Sequence, residues 1–409
     1  MRIAFLASRK GYLKVMGSLI QAALDRGHQA ILLTDPNERK PGEAATAADL
    51  AHWPAAERIP HRRGEPLLPR LAEARARALV GPSLHFVLRA TGLTADMAGA
   101  AAAAVRLYSV DYVLETLTSD PEAYRVLDVT FYATEYERRL HWEILADRFA
   151  AVAREVSLPA RSAVCGSTML DQLALVDRAI VRRRLGLPPD RPVVLLMSLK
   201  MAVPEPWRRH VWGDGPAVVR AALAVARGHA GLLPAIWKGN GYRELLEAVR
   251  DFCRRSGAAL VVKSRGKNRD PRFLRESADV WVESDDSVFP YTSIELMAIA
   301  DLCVHFQSGA VLEAAAAGVP SLSVKVPQSH LHDYPGHEQI FGGREGTLQN
   351  FAGVVWSAGH EEAAACLRCR GLADFALDAA ARRRYLEQFV GGDDGRNSHR
   401  VLDVIERGG

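Results

Sequence analysis

The chain lacks several features that would assign it to a class of protein at once. Its five cysteines are an odd, widely scattered set, which excludes a disulfide framework and predicts a reducing, cytoplasmic compartment. Long apolar runs are missing as well: residues 2–7 and the alanine-rich residues 98–105 are both too short for a signal-peptide core or a membrane span. We therefore expect a chain without a membrane-crossing segment.

A strong charge of one sign is also absent. The 52 lysines and arginines are balanced by 48 aspartates and glutamates, which leaves a net charge of +4. A protein devoted to DNA or RNA needs a concentrated basic face, so no nucleic-acid partner is predicted. The hydrophobic fraction of 48% and the charged fraction of 24% are ordinary for a folded protein with full cores, and 409 residues suggest two domains.

The short motifs of several enzyme classes are missing. The sequence contains no H-E-x-x-H, no P-loop and no G-x-G-x-x-G. One C-x-x-C is present, at Cys366 and Cys369, but no second pair accompanies it and residues 361–370 have a helical pattern. Two reduced thiols on a helix are therefore favoured over a metal or redox pair.

Apolar runs at the start of the chain alternate with a helical pattern. Residues 2–7 are followed by a polar loop and a helix that closes at Gly27, and residues 29–33 form a second apolar run. This order predicts the opening βαβ unit of a parallel sheet. The middle of the chain adds short strands at 128–133 and 162–165 and helices at 67–80, 95–107 and 135–155.

A dense cluster of proline and glycine marks a boundary before a fresh apolar run at 193–197. Beyond it we expect strands at 258–263, 278–283, 302–306 and 321–326, and helices at 242–256, 293–300 and 309–317. The predicted fold is α/β, with two Rossmann-like parallel-sheet domains facing a central cleft, followed by one or two terminal helices. The predicted divisions are a first domain 1–170, a linker 171–191, a second domain 192–375 and C-terminal helices 376–409.

The most informative stretch is residues 300–320, where an apolar strand runs into Ser308-Gly309 and a helix begins. Backbone N–H groups and the helix dipole make such a turn an anion site suited to a diphosphate. Glu313 lies one turn into the helix, where a carboxylate can accept hydrogen bonds from ribose hydroxyls. A capped helix in an ordinary α/β domain is the alternative, and the residues alone do not decide between the two.

This stretch resembles the donor-side signature of GT-B glycosyltransferases and their relatives, in which Ser-x-x-x-x-Glu-Ala-x-x-x-Gly-x-Pro recurs. The resemblance implies that Glu313 holds the ribose and that Ser308 and Gly309 hold phosphate. Residues 164–171 are similar to the crossover between the two GT-B domains. The resemblance also implies a C-terminal helix that returns toward the first domain. Residues 391–395 with Arg400 resemble the end of surface-polysaccharide transferases, including the CDP-glycerol glycerophosphotransferases.

Two departures from these families bear on the activity. The glycerophosphotransferases tend to have a histidine after the strand lysine, whereas Lys263 is followed here by Arg265 and Lys267. These cations still suit phosphate, and loops at the carboxyl ends of parallel strands face the ligand crevice, so we predict that they contact the donor. An exposed loop is the alternative. The Gly-Asp-Thr loop and the Thr-Glu-Arg-Pro-Glu segment of UDP-GlcNAc 2-epimerases are both missing, which argues against that activity.

A glycosyl transfer also needs a base that deprotonates the acceptor. The GT-B resemblance implies a base from the first domain, where the candidates are His85, Asp111, Glu115 and Glu135. Arg9 and Lys10, in the first loop, are candidates for contact with donor phosphate or with an anionic acceptor.

Metal ligands are expected to play no part. The acidic pairs Asp285-Asp286 and Asp393-Asp394 lack the Asp-x-Asp spacing of metal-dependent GT-A enzymes. Residues 328–338 contain three histidines, but their spacing matches no compact zinc motif. A polar loop that lines the donor pocket is favoured there over a metal site. No cofactor is expected.

The resemblance thus implies a cytoplasmic, metal-independent glycosyltransferase that moves a sugar or a polyol phosphate from a nucleotide-activated donor to a surface glycan or lipid-linked acceptor. A nucleotide-sugar epimerase or hydrolase on the same scaffold, and an inactive nucleotide-sugar-binding protein, remain alternatives. A peripheral membrane contact through arginine-rich surfaces such as residues 182–184 stays open, with a solvated helix face as the plain alternative.

Overall fold

The computed structural model describes residues 1–35, 44–62, 65, 67–83, 87, 105–110, 123–156, 160–198, 206–211, 213, 215–238, 241–264, 270, 272–283, 287–325 and 343–408. The chain divides into two compact units. Unit 1 comprises Met1–Val176, Asp285–Ile294 and Leu386–Gly409, and unit 2 comprises Asp177–Ser284 and Glu295–Tyr385.

Unit 1 is built on a parallel sheet of seven described strands in the order β3-β2-β1-β4-β5-β6-β7. The strands are β1 Arg2–Leu6, β2 Gln29–Thr34, β3 Glu57–Pro60, β4 Ala78–Pro82, β5 Arg106–Val110, β6 Val129–Tyr132 and β7 Ser162–Val164. Its helices are α1 Lys10–Asp25, α2 Ala47–Leu50, α3 Leu67–Glu73, α4 Ala123–Val126, α5 Glu135–Arg148 and α6 Ala150–Glu155, with a 3₁₀ helix at Thr168–Leu175.

Unit 2 is built on a second parallel sheet, of six described strands in the order β10-β9-β8-β11-β12-β13. Its strands are β8 Val193–Met197, β9 Ala259–Lys263, β10 Val280–Val282, β11 Leu302–His305, β12 Ser321–Val324 and β13 Val355–Ala358. The helices of this part of the chain are α7 Arg178–Arg184, α8 Ala217–Ala226, α9 Leu233–Lys238, α10 Gly241–Arg255, α11 Arg272–Ser277, α12 Thr292–Ile299, α13 Ala310–Ala317, α14 His360–Cys369 and α15 Ala379–Phe389. Of these, α12 begins in unit 1 and α15 ends in unit 1. The chain ends in α16, Asn397–Gly408.

The inner strands of both sheets are buried. Every residue of β8 and β9 is buried, and so are Ile3, Ala4 and Phe5 of β1. Continuous apolar runs of this kind belong to parallel sheets covered by helices on both faces. In both units the strand order follows the 3-2-1-4-5-6 pattern of a Rossmann sheet. The predicted fold class, two Rossmann-like parallel-sheet domains, is therefore confirmed.

Three helices predicted in the first domain are wrong in part. The helix expected over 67–80 ends at Glu73, because Arg75 adopts a left-handed φ of 53° and the chain then enters β4. The helix expected over 95–107 is contradicted at its end, since Arg106–Val110 forms the buried strand β5. The helix expected over 135–155 is interrupted at Phe149, whose φ and ψ are −130° and 49°.

The C-terminal helix belongs to the core of unit 1. Val401, Leu402 and Ile405 on α16 are fully buried in the same cluster as β1 and α1. The predicted return of this helix toward the first domain is confirmed. Residues 287–294 join the same core: Val288 is buried there, and the Phe289 ring lies 5.2 Å from the Trp53 ring.

A buried carboxylate fixes the start of α16. Asp171 accepts hydrogen bonds from the amides of Asn397 (3.1 Å) and Ser398 (2.7 Å). The Asn397 side chain in turn donates to the carbonyls of Ser167 and Gly392. Gly166 has a φ of 86°, and a Cβ there would lie 1.9 Å from Asn397 Oδ1, so this approach requires glycine. The two segments singled out in the sequence, residues 164–171 and 391–400, thus form one joint within unit 1.

The cysteines divide by burial, which makes their reactivity predictable. Burial raises the pKa of Cys165 and of Cys253 to about 12, and it raises the pKa of Cys303 further. Cys369 on α14 is exposed, and Cys366 lies half-buried one turn earlier. Because the thiolate is the reactive form, we expect a disulfide reagent to modify Cys369 fast, Cys366 slowly and the other three only after unfolding. Loss of the fast phase in Cys369→Ser checks this assignment, and a fast phase that survives contradicts it.

No helix in the described part of the chain is long and apolar enough to cross a membrane.

Candidate functional site

The sheet of unit 2 places one turn where ligands bind in folds of this kind. Its strand order reverses between β8 and β11, and in open α/β sheets the crevice beyond the carboxyl ends of such strands binds ligands. β11 ends at His305, and the turn from Phe306 to Gly309 leads into α13. Lys263 ends β9, on the other side of β8, at the same edge of the sheet. Four predicted donor residues, Lys263, Ser308, Gly309 and Glu313, therefore share one edge.

The turn is held by its own side chains. The amide of Ser308 donates to Nδ1 of the fully buried His305 at 3.2 Å, so a neutral His305 carries its proton on Nε2. Gln307 has a left-handed φ of 42°, and Ser308 Oγ accepts from the amide of Ala310 at 3.3 Å. Of the two amides predicted to hold phosphate, that of Ser308 is thus engaged within the turn.

Gly309 offers an amide that is not used within the turn. Among the described residues it donates no hydrogen bond, and a Cβ built on it would meet no atom within 4 Å. The residue stands at the N-terminus of α13, where amide dipoles favour an anion. The arrangement can accept one phosphate oxygen on this amide without rearrangement of the turn.

The carboxylate of Glu313 is buried. It is only 2% exposed and lies in the first turn of α13. Burial, and then the nearby Glu313 carboxylate, raise the pKa of the Cys303 thiol. Ala314 and Ala315 are buried behind it and let α13 lie close to the sheet, and Gly318 ends the helix with a φ of 73°. A carboxylate held this way can accept the hydrogen bonds of a vicinal diol.

Gln349 supports the turn and was not found from the sequence. Its side chain is buried, and Nε2 donates to the Ser308 carbonyl at 3.1 Å while Oε1 accepts from Ser323 Oγ at 2.8 Å. It thereby joins the turn to β12. Gln349 follows Ser308 by 41 residues, and no local pattern marks it.

The basic cluster after β9 is described only at its first member. Lys263 is buried, and its Nζ donates to the Ser264 carbonyl at 2.9 Å. Ser264 Oγ donates to the Asp270 carboxylate. Arg265 and Lys267 lie outside the described residues. The donor role of the three cations stays a prediction.

Comparison with known proteins identifies the fold. No family model matches the chain, and no curated protein matches it in sequence. Solved structures match it over its whole length. The UDP-GlcNAc 2-epimerase from Neisseria meningitidis bound to UDP-GlcNAc covers 100% of both chains at 12% identity and a TM-score of 0.57. The glycotransferase of kitacinnamycin covers 99% of this chain and 98% of its own at 16% identity and a TM-score of 0.52. The wall teichoic acid polymerase TagF covers 100% of this chain and 88% of its own at 11% identity and a TM-score of 0.53.

The chain has the GT-B fold. The resemblance found in the sequence is confirmed at this level. Because epimerases and transferases share the GT-B fold, it does not by itself select a reaction.

The N-terminal GT-B unit carries the remaining candidates that the structure describes. Arg9 and Lys10 follow β1, at the strand-order reversal of unit 1. The Arg9 guanidinium lies 5.6 Å from the centre of the Tyr12 ring, and Lys10 Nζ lies 3.7 Å from a carboxylate oxygen of Asp49. Lys14, one turn later, was not predicted: it is buried, with its Nζ 5.1 Å from the centre of the Tyr291 ring. All three cations belong to the carboxyl edge of the first GT-B sheet.

The candidate bases predicted in the first unit fall in two groups. His85, Asp111 and Glu115 lie outside the described residues. Glu135 is described: its side chain is 63% exposed and pairs with Arg138 at 2.7 Å, one turn along α5. The buried carboxylate of that turn is Glu137, which accepts from the Ala133 amide at 2.9 Å. The assignment of a base stays a prediction.

Potential metal ligands are the last group of candidates from the sequence. Among the described residues, no three His, Cys, Asp or Glu side chains come together as a metal would require. The histidine-rich residues 328–338 lie outside this part.

Proposed function

We propose that this GT-B protein is a metal-independent glycosyltransferase that moves a sugar, or a related polyol phosphate, from a nucleotide-activated donor to a surface glycan or lipid-linked acceptor. The observation that carries the proposal is the buried Glu313 in the first turn of α13, a helix that begins directly after Gly309, whose amide donates no hydrogen bond among the described residues. A carboxylate that can accept hydrogen bonds from a diol lies one turn from an amide that can bind an anion. This spacing matches the ribose and the diphosphate of a nucleotide.

The residues at the carboxyl edge of unit 2 supply what a departing nucleotide needs. Transfer leaves negative charge on the diphosphate, and fixed amide dipoles and cations stabilise such charge without reorganisation. Gly309 provides the amide, and Lys263 provides a cation at the end of β9. Arg265 and Lys267 follow it in the sequence. Charge stabilisation by the chain itself is why we propose a reaction without a divalent ion.

The acceptor is proposed to bind the N-terminal unit. Arg9 and Lys10 suit an anionic acceptor, because both follow β1 at the edge where ligands bind in Rossmann sheets. The proton of the acceptor hydroxyl would pass to a carboxylate or imidazole of this unit, with Asp111, Glu115, Glu135 and His85 as the proposed candidates.

Calorimetric titration with UDP, CDP, GDP and CMP, each with magnesium and with EDTA, tests the donor site. We expect micromolar binding of one nucleotide, with the same affinity in EDTA, because the proposed phosphate contacts come from the chain. The nucleotide that binds also identifies the donor family. Absence of binding by all four would refute the donor site, and binding that needs magnesium would refute the metal-independent reaction.

The two alternative activities are separated by turnover without an acceptor. An epimerase or hydrolase converts the nucleotide sugar alone, whereas a transferase leaves it largely intact until the acceptor is added. An inactive binding protein binds the donor but converts it under neither condition. Product analysis with the nucleotide sugar of the preferred nucleotide therefore distinguishes all three.

A further inference from the structure

The segment between β8 and α10, residues 198–240, concentrates exposed apolar side chains. The described chain has eight large hydrophobic residues that are exposed, and five of them lie here. Their exposed fractions range from 45% to 64%. They are Val218, Val219, Leu223 and Val225 on α8 and Trp237 on α9. Single exposed apolar residues are ordinary, but such a cluster marks an interaction surface.

The fold of α8 does not require this apolar face. The opposite side of the helix packs into unit 2 through Ala221 and Ala224, which are buried in its core. Arg220 anchors the same side, since its guanidinium donates to the carbonyls of Gly215, His210 and Val211. Val218 and Val225, spaced by seven residues, lie on the outer face. The helix is therefore apolar on a side that unit 2 leaves exposed.

Among the described residues of this segment, the charged residues are all basic. Positions 206–211, 213 and 215–238 carry five lysines and arginines and no aspartate or glutamate. Lys200, Glu205 and Asp214 of the same segment lie outside the described residues. Arg209 and Arg227 are exposed, and so is Lys238, which pairs with Glu361 at 3.1 Å. The whole chain, by contrast, has nearly balanced charges, 52 basic against 48 acidic.

We propose that the outer face of α8 with Trp237 and the flanking basic residues, the α8–α9 surface, binds an anionic lipid membrane. Apolar side chains enter the boundary between headgroups and acyl chains, tryptophan favours that interface, and lysine and arginine are attracted to anionic headgroups. A second copy of the chain is a poorer occupant, because this surface would meet its own positive charge.

The arginine run of α7 does not serve the same purpose. Arg182 donates to the carbonyls of Pro188, Arg191 and Ile299, and Arg184 pairs with Glu295 at 2.6 Å. Two of the three arginines at 182–184 thus hold unit 2 together. The membrane contact is accordingly assigned to the α8–α9 surface.

The position of the segment links this contact to the proposed function. It begins at the carboxyl end of β8, the neighbour of β11, whose own carboxyl end carries the Ser308–Glu313 turn. Under the proposed function, a chain held at the membrane would be close to a lipid-linked acceptor. The membrane binding itself needs neither a nucleotide nor an acceptor, so its test is independent of the proposed activity.

Vesicle sedimentation of the full chain tests the proposal. The wild type is expected to sediment with vesicles that contain phosphatidylglycerol, less with phosphatidylcholine vesicles, and less at high salt. Val218→Gln with Val225→Gln should lower the partition coefficient at least about fivefold, because it removes apolar area that the membrane would cover. Glutamine is a better helix former than valine, so α8 is preserved. Arg209→Gln with Arg227→Gln should weaken binding to the anionic vesicles only.

A matched control removes the same number of exposed apolar side chains elsewhere. Leu175→Gln with Ile180→Gln, at residues 52% and 54% exposed, should sediment like the wild type. The proposal is overturned if the wild type ignores anionic vesicles, or if the control pair lowers binding as much as the α8 pair. It is also overturned if the wild type proves to be a dimer that the α8 pair dissociates while vesicle binding is unchanged.

Discussion

Glu313→Gln is expected to weaken nucleotide binding at least about tenfold, which corresponds to about 1.4 kcal/mol. The carboxylate is buried and, under the proposed function, accepts hydrogen bonds from the ribose hydroxyls. Hydrogen bonds to a charged acceptor are worth about 1.5–3 kcal/mol, and an amide oxygen accepts them less strongly. The substitution keeps the shape of the side chain, so α13 should remain in place. Calorimetric titration with the preferred nucleotide measures the effect.

The 2′-deoxynucleotide makes this test specific for the ribose. The wild type should bind it more weakly than the ribonucleotide, and Glu313→Gln should discriminate less between the two, because both changes remove the same interaction. Glu295→Gln is the matched control: Glu295 is also a buried glutamate of unit 2, but its partner is Arg184. Equal losses in both variants, or full discrimination in Glu313→Gln, would show that Glu313 does not contact the ribose.

Asp171→Ala is expected to lower the free energy of unfolding by about 2–3 kcal/mol. The reason is that two backbone amides at the start of α16, those of Asn397 and Ser398, lose a buried charged acceptor. Asp177→Ala is the control, because Asp177 also accepts from two amides at the start of a helix but is exposed. There the expected loss is about 1 kcal/mol. Urea unfolding followed by circular dichroism compares the two, and equal losses would contradict a special role for the buried joint.

The stability contributed by Asp171 should also depend on pH. Burial raises the pKa of this carboxyl above its ordinary value, although the Ser398 and Asn397 amides act in the opposite direction. A group with a raised pKa in the folded state binds its proton more tightly there, so its contribution is present at low pH and declines as pH rises through the folded-state pKa. The stability difference between wild type and Asp171→Asn should therefore favour the wild type more at acid pH than at neutral pH. A difference that grows with rising pH would contradict the direction of this shift.

The sequence alone predicted the helices and strands whose buried residues follow one another closely along the chain. The β1–α1–β2 unit and the β11–α13 turn are examples, since apolar runs end at glycines with the left-handed φ of Gly27 and Gly318. β3 was not predicted, because Glu57–Pro60 shows no alternation of apolar and polar residues. The strand lies at the edge of the sheet. β4 and β5 were not predicted, because the helix-forming residues before each of them suggested that a helix continues. Their conformation is set instead by pairing within the sheet.

The same division holds for the candidate site. Glu313, Ser308 and Gly309 lie within six residues of one another, so a local motif could indicate them. Gln349 and the Asp171–Asn397 joint depend on partners 41 and 226 residues away, and such contacts leave no periodic signal in a single sequence. The exposure of α8 likewise follows from which of its faces the core of unit 2 uses.

The path of the chain between its two units also limits recombination between related proteins. Unit 1 is assembled from three separate stretches of polypeptide, so the backbone passes from one unit to the other four times, after residues 176, 284, 294 and 385. A recombination event with a single junction near residue 176 would exchange unit 2 together with α16 and residues 285–294, whose buried side chains must fit the first unit of the recipient. Under the proposed function, new donor specificity is therefore expected to arise by substitution in the loops at the edge of the sheet, or by exchanges that keep residues 285–294 and 386–409 with their original first unit.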